Sequence, residues 1–269
     1  MHIPKFPLPS RPEIEIQFRM PTVADAMAFC DISDTYEERT TTSYLNQMQE
    51  GEINDSQLWT AQDRRTALWW IFSSSRIDCV VTYSYKCAFC GEEHYYDLDL
   101  RELDQYATLL DREPYIEGVE IPVNGEIYEW RFVPLNGIAM ENLEIMRALL
   151  PEDRNSKEYK DAAANVRLWE YIYQTELFHD IDPDFQAKAN RRYDLIKSMS
   201  IDTEFKQLIA RIKTARDLLV HGLEIEFDQG VPRLVSPPHY CTKADKEEAD
   251  RPSTRLLIPF RNHEFFPDL

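Results

Sequence analysis

Tyr83-Ser84-Tyr85-Lys86-Cys87-Ala88-Phe89-Cys90-Gly91 reads as a strand entering a Cys-x-x-Cys turn, and Tyr95-Tyr96-Asp97-Leu98-Asp99-Leu100 reads as the strand returning from it. The side-chain period of two supports the pairing. Cys79, Val81, Tyr83 and Tyr85 fall on one strand face, and Tyr96, Leu98 and Leu100 on one face of the return strand. Gly91 admits the left-handed backbone needed to leave the turn. Two thiols at this spacing can point at one centre, which is half of a tetrahedral metal site.

A second hairpin follows. Val119, Ile121 and Val123 lead into Asn124-Gly125, a two-residue turn signal, and Tyr128, Trp130 and Phe132 alternate on the way back. Helices flank the two hairpins. Thr22 with Asp25 three residues later predicts a helix start over Thr22–Ala28. Further helices are expected over Asp34–Glu50, Ala61–Phe72, Ile138–Leu149, Ser156–Phe178, Pro183–Met199 and Asp202–His221, the last stopped by Gly222. The end returns to strand character over Leu223–Phe227, Arg233–Val235 and Arg255–Phe260, and the charged run Lys243–Arg251 reads as a solvated loop. Strands do not alternate regularly with helices, so the class is α+β and not a doubly wound parallel sheet. Four segments are expected: an extended arm over 1–21, a helix-and-hairpin region over 22–136, a helical region over 137–222 and a β-rich end over 223–269.

The 269 residues carry a net charge of −18, which argues against a broad basic face for nucleic acid. Acidity of this size suits solubility or docking on a basic protein partner. No apolar run approaches the roughly 20 residues of a membrane span. Five cysteines, an odd count, follow a proline-rich start with no signal peptide, which points to a reducing compartment and makes a Cys-x-x-Cys a metal or redox feature.

Three readings of Cys87 and Cys90 stand: a structural zinc knuckle, a redox pair, or a knuckle without metal. A redox pair usually opens a helix, whereas this one sits at a hairpin tip, which favours metal. His239 and Cys241, in Pro237-Pro238-His239-Tyr240-Cys241, are the candidates to complete a Cys3His site that staples the end of the chain to the first hairpin. Cys79 is expected in the core and Cys30 as a small buried residue. Glu176-x-x-His179 has di-iron spacing but no second copy, so His179 is read as a helix-end histidine. His221 is read as a cap on the dipole of the last helix. None of the common phosphate-cradle, nucleophile-elbow or zinc-protease motifs occurs, so no catalytic residue is assigned.

Three separated motifs share an order. Leu8-Pro9-Ser10-Arg11 comes first, the Cys87–Gly91 hairpin next, and Pro259-Phe260-Arg261-Asn262-His263-Glu264-Phe265-Phe266-Pro267 last. In this order the chain resembles the baseplate hub and hub-assembly proteins of contractile-tailed bacteriophages. The resemblance implies a structural or assembly role in the tail, partners among other tail and baseplate proteins within a hetero-oligomeric assembly, no enzymatic activity, and a place in the virion after assembly in host cytoplasm. The second Cys-x-x-Cys of that family is absent, its place taken by His221 and later by His239 and Cys241. Leu8, Pro9 and Arg11 of the arm, with Phe260, Phe265 and Phe266 of the tail, are expected to bury their surface against a partner. Two alternatives remain: a transient tail-assembly chaperone, and a zinc-ribbon regulator that binds nucleic acid.

Overall fold

The computed structural model describes residues 2–30, 36–228, 231–243 and 252–268; the charged run after Lys243, with its proposed loop, lies outside them. The chain opens with an antiparallel hairpin, β1 (Phe6–Leu8) and β2 (Arg11–Ile16), where the sequence predicts an extended arm. Ile3, Phe6, Leu8, Ile16 and Phe18 are all buried, and the Phe6 ring lies 5.6–6.5 Å from those of Trp70, Phe18 and Trp59. Burying each such side chain is worth about 1.5–3 kcal/mol, enough to hold the segment on its own body. Trp70 Nε1 fixes it further by donating to the Pro4 carbonyl at 3.0 Å.

Helices α1 (Val23–Phe29), α2 (Glu37–Met48) and α3 (Ala61–Ser75) follow. Reciprocal capping boxes, Thr22 with Asp25 and Thr60 with Asp63, set the starts of α1 and α3. Strands β3 (Val80–Lys86) and β4 (Glu93–Asp99) form the knuckle hairpin in the expected register, with Tyr83 opposite Tyr96 and Val81 opposite Leu98. The second hairpin, β5 (Ile116–Val123) and β6 (Glu126–Phe132), turns at Asn124 and Gly125, whose φ values of 51° and 86° are those the primed turn demands.

After α4 (Gly137–Ala148), α5 (Lys157–Ile172) is shorter than the sequence predicts. The chain leaves the helix at Tyr173, and β7 (Thr175–Leu177) pairs with β6, setting Phe132 opposite Thr175 and Trp130 opposite Leu177. An open edge of β6 competes successfully with helix propensity here, because Thr175 is β-branched and fully buried. Helix α6 (Phe185–Lys197) is capped by Asp184, and a π-turn over Ile201–Phe205 runs into α7 (Lys206–Leu218). Short strands close the chain: β8 (Ile225–Asp228), β9 (Val231–Val235), β10 (His239–Tyr240), β11 (Ser253–Thr254) and β12 (Leu257–Pro259). Every ladder among the described residues is antiparallel, and the fold is α+β.

Two apolar clusters form. One joins the first hairpin, α2, α3 and the knuckle strands to Leu234, Ile258, Phe260, Phe265 and Phe266. The other joins the β5–β6 hairpin to helices α4 to α7. Where they meet, Asp63 is fully buried and accepts from Ser10 N–H at 2.8 Å, Ser10 Oγ at 2.6 Å and Thr60 N–H at 3.2 Å. His221 joins this network. It lies beyond α7 with Nδ1 2.6 Å from the Leu219 carbonyl, as a helix-end residue should, but it is also fully buried, and its Nε2 lies 2.6 Å from Thr60 Oγ1. A carbonyl needs a donor, so Nδ1 carries the proton and Nε2 accepts from the Thr60 hydroxyl; the tautomer is assigned from this network.

Asp63→Ala strands three buried donors, so urea unfolding is expected to show a loss of about 3–5 kcal/mol, with Asp63→Asn losing less. A second expectation concerns pH. Burial pushes the Glu144 carboxyl up to about 7, with the charges of Glu38 and Glu37 adding to the rise, against the bond it accepts from the Glu38 backbone N–H. The folded chain therefore holds this proton more tightly than the unfolded chain. The associated stability is present below the ordinary glutamate pKa and fades as pH rises through about 7. Wild-type protein should lose on the order of 1–2 kcal/mol from this group between about pH 5 and 8, and Glu144→Gln should flatten that slope in pH-dependent melting.

Candidate metal centre

The knuckle turn is built by its backbone. Cys87 N–H donates to Glu92 O at 2.8 Å, Gly91 N–H donates to Cys87 O at 2.9 Å, and Gly91 takes a φ of 74°. This brings Cys87 and Cys90 to one side of the tip. His94, opposite Tyr85 in the ladder, points to the same side and is buried. The fourth group comes from far along the chain. Cys241 follows β10, is buried, and is held by its N–H donating to Pro252 O at 3.0 Å.

Sγ of Cys87, Cys90 and Cys241 and a ring nitrogen of His94 all lie within 4.8 Å of one another, with Cys90 Sγ 3.1 Å from His94 Nε2. An ion bonded to sulfur at about 2.3 Å spaces tetrahedral ligands roughly 3.8 Å apart, so the group is close enough to hold a metal ion. The thiols show the electrostatics of such a site. Backbone N–H groups of Cys90 and Phe89 lower the Cys87 pKa below the ordinary thiol value. Burial, then hydrogen bonding with Cys241 and Cys87, pushes Cys90 up to about 11. Three crowded thiols cannot all ionise without a counter-charge, and a cation at their centre supplies one.

The sequence places His239 in this set; the structure places His94 there. The His239 ring instead lies 4.6 Å from that of Tyr96 and 5.6 Å from that of Tyr85, packed on the hairpin farther from the tip. Burial, with a contribution from His94, lowers its pKa and favours the neutral ring that this packing uses. The signal for His94 is in the sequence: Cys90-x-x-x-His94 is a short ligand spacing, and alternation sets His94 on the same strand face as Tyr96 and Leu98. An ion pair between Lys243 and Glu92 adds a second tie between the end of the chain and the knuckle.

The residues expected to face a partner are mostly turned inward. Leu8, Pro9, Phe260, Phe265 and Phe266 are buried in the chain's own core, with Phe260 and Phe265 stacked at 4.5 Å and Phe266 4.8 Å from the Tyr44 ring. Asn262 Nδ2 donates to Thr41 Oγ1 at 3.0 Å and His263 N–H donates to Glu37 Oε1 at 2.9 Å, locking the aromatic tail on α2. Arg11 alone of the six is exposed, 4.0 Å from Glu113. Apolar rings this numerous find a better environment in their own core than in water, which is why the segments fold back.

Cys79 lies in the core as expected, but Cys30 is exposed at the end of α1. Glu176 is in β7 and His179 is exposed beyond it, 3.8 Å from Glu129, so neither is helical. No helix among the described residues is long and apolar enough to cross a membrane. Comparison with known proteins gives no match to a family model, a curated protein or a solved structure.

Elemental analysis of purified protein should find about one metal ion per chain. Cys87→Ser, Cys241→Ser and His94→Ala should each lose it and melt at lower temperature, whereas His239→Ala should keep it. Loss of metal in His239→Ala with retention in His94→Ala would reverse the assignment.

Proposed function

We propose that this chain is a structural or assembly component of a contractile bacteriophage tail baseplate, in the hub region, working through protein–protein binding around a structural zinc ion. The observation that carries the reading is the closure of the Cys3His group by Cys241. Four protein donors leave no open position for a substrate or an activated water, the mark of structural and not catalytic zinc. Three thiols and one imidazole are the donor set zinc prefers over magnesium, calcium or manganese. Zinc, when bound, supplies a four-way junction. Cys87, Cys90 and His94 hold it from the hairpin, and Cys241 ties the end of the chain to it.

Further support comes from the three motifs behind the phage-tail resemblance, each of which has a structural task in the fold. Ser10 of Leu8-Pro9-Ser10-Arg11 binds Asp63, the Cys-x-x-Cys hairpin carries the metal donors, and the terminal aromatic run closes the first apolar cluster. The partner surface must then be an outer face of the folded body, since the two ends of the chain are occupied internally.

Mass spectrometry of purified contractile tails, together with a deletion of the coding sequence, tests the proposal. Presence in the baseplate at fixed stoichiometry, with tail assembly lost on deletion, is the expected result. Absence from finished tails with assembly still lost would make the chain a transient chaperone. Normal tails after deletion would overturn the tail role.

A further inference from the structure

Ile121 and Val123 of β5, with Trp130 and Phe132 of β6, turn one face of the β5–β6–β7 sheet into the second apolar cluster, among helices α4 to α7. Alternation sends the residues between them to the other face. There Pro122 lies opposite Ile127, Glu120 opposite Glu129, and Arg131 opposite Glu176. Phe178 extends the middle row, its N–H donating to the Glu129 carbonyl at 3.0 Å. Ile127 is 70% exposed and Phe178 43%. Ile181, almost fully exposed, lines one small cavity with Phe178, Arg131 and Glu176. The solvent face of an antiparallel sheet is ordinarily polar, so apolar side chains gathered on it mark a surface that a partner covers.

The charges on this face indicate the kind of partner. Arg131 is held by Glu117 at 2.8 Å and Glu176 at 3.8 Å, and its guanidinium lies 4.4 Å from the centre of the Tyr115 ring. At the adjoining edge, Arg191 is matched by Asp180 and Asp182. Glu120 and Glu129 are left facing each other across the ladder. Side chains directly opposite stand about 4.5–5.5 Å apart at Cβ, and like charges there repel. Among the described residues neither forms an ion pair with a lysine or arginine. The exposed His179 ring lies 3.8 Å from Glu129 and carries charge only when protonated. A cation supplied from outside relieves this repulsion.

We propose that the outer face of the β5–β6–β7 sheet docks a basic segment of a partner protein. An arginine or lysine of that segment bridges Glu120 and Glu129, and its apolar neighbours rest on Ile127 and Phe178. The proposal rests on the protein–protein binding role given above and supplies the outer face which that role requires. A chain of net charge −18 repels its own copies and draws cationic partners in before contact. Arginine is the better fit, because its forked guanidinium donates to two carboxylates at once while its stem lies along apolar surface.

Two capped peptides test this on the full chain, one with two arginines among leucines and one with glutamates in their place. Each is titrated in and followed by amide chemical shifts. The arginine peptide should give saturable shifts confined to β5, β6, β7 and the turn after β7, and the glutamate peptide none. Glu120→Gln and Ile127→Ser should each weaken binding about fivefold, and Glu120→Gln with Glu129→Gln should abolish it. Glu120 is exposed and Glu129 half-buried, and removing their repulsion leaves the sheet intact, so the melting temperature of the double variant should hold or rise. Absence of saturable shifts, equal binding of both peptides, or binding that the double variant leaves unchanged would overturn the docking surface. So would dimerisation of the chain through this face, which would make a second copy the occupant. None of these outcomes touches the tail role, which the deletion experiment decides separately.

Discussion

A carboxylate without water around it organises this protein. Asp63 ends up where two apolar clusters meet, and it is tolerable there only because Ser10 and Thr60 turn three donors toward it. That requirement fixes the N-terminal hairpin, the start of α3 and, through Thr60, the buried His221 after α7. Once α3 is fixed, the next residue follows. Arg64 is almost fully buried and reaches Thr42 Oγ1 at 2.7 Å, the Ser56 carbonyl at 3.1 Å and the Glu38 carbonyl at 2.6 Å. Gly137, where α4 begins, is glycine because any side chain there would run into that guanidinium and the backbone of Gln57. A second glycine, Gly222, serves the other side of the same node, with φ at 72° and Thr66 pressed against it.

Local signals in the sequence account for much of the fold. Thr22–Asp25, Asn124-Gly125 and the alternation through Cys79–Tyr85 each specify geometry within a few residues, and each is realised. What the sequence does not show is which surface a segment buries. The proline-rich start and the aromatic end look like segments in search of a partner, because neither has a helical or alternating neighbour to pack on nearby in the chain. Their partners lie far away: Phe266 meets Phe29 and Tyr44, and Asn262 meets Thr41. The helix expected over Ser156–Phe178 overruns the end of α5 for the same reason, since the demand of β6 for a neighbour is not visible at Thr175.

The candidate metal centre is legible by halves. Cys87, Cys90 and Cys241 can be picked from spacing and chemistry, but the choice between His94 and His239 depends on depth along the hairpin. His239 lies in β10 and Cys241 just after it, two residues apart, and that separation is enough to set the imidazole against Tyr96 and the thiol of Cys241 among the other donors. Of the six residues expected to meet a partner, five are buried in the chain's own core, and Arg11 is on the surface.

The first apolar cluster draws on residues from Ile3 to Leu103 and again from Leu223 to Phe266, while the second lies wholly between Leu110 and Leu219. The order of synthesis therefore differs from the order in which the cores can close. On the ribosome, the β5–β6 hairpin and the helices from α4 to α7 have all their partners as soon as α7 emerges. The earlier-made first hundred residues must wait, with Phe29, Tyr44 and Phe72 incompletely covered, until Phe265 and Phe266 arrive. The part translated first is thus the part that finishes last, and for that interval it is the one most in need of protection.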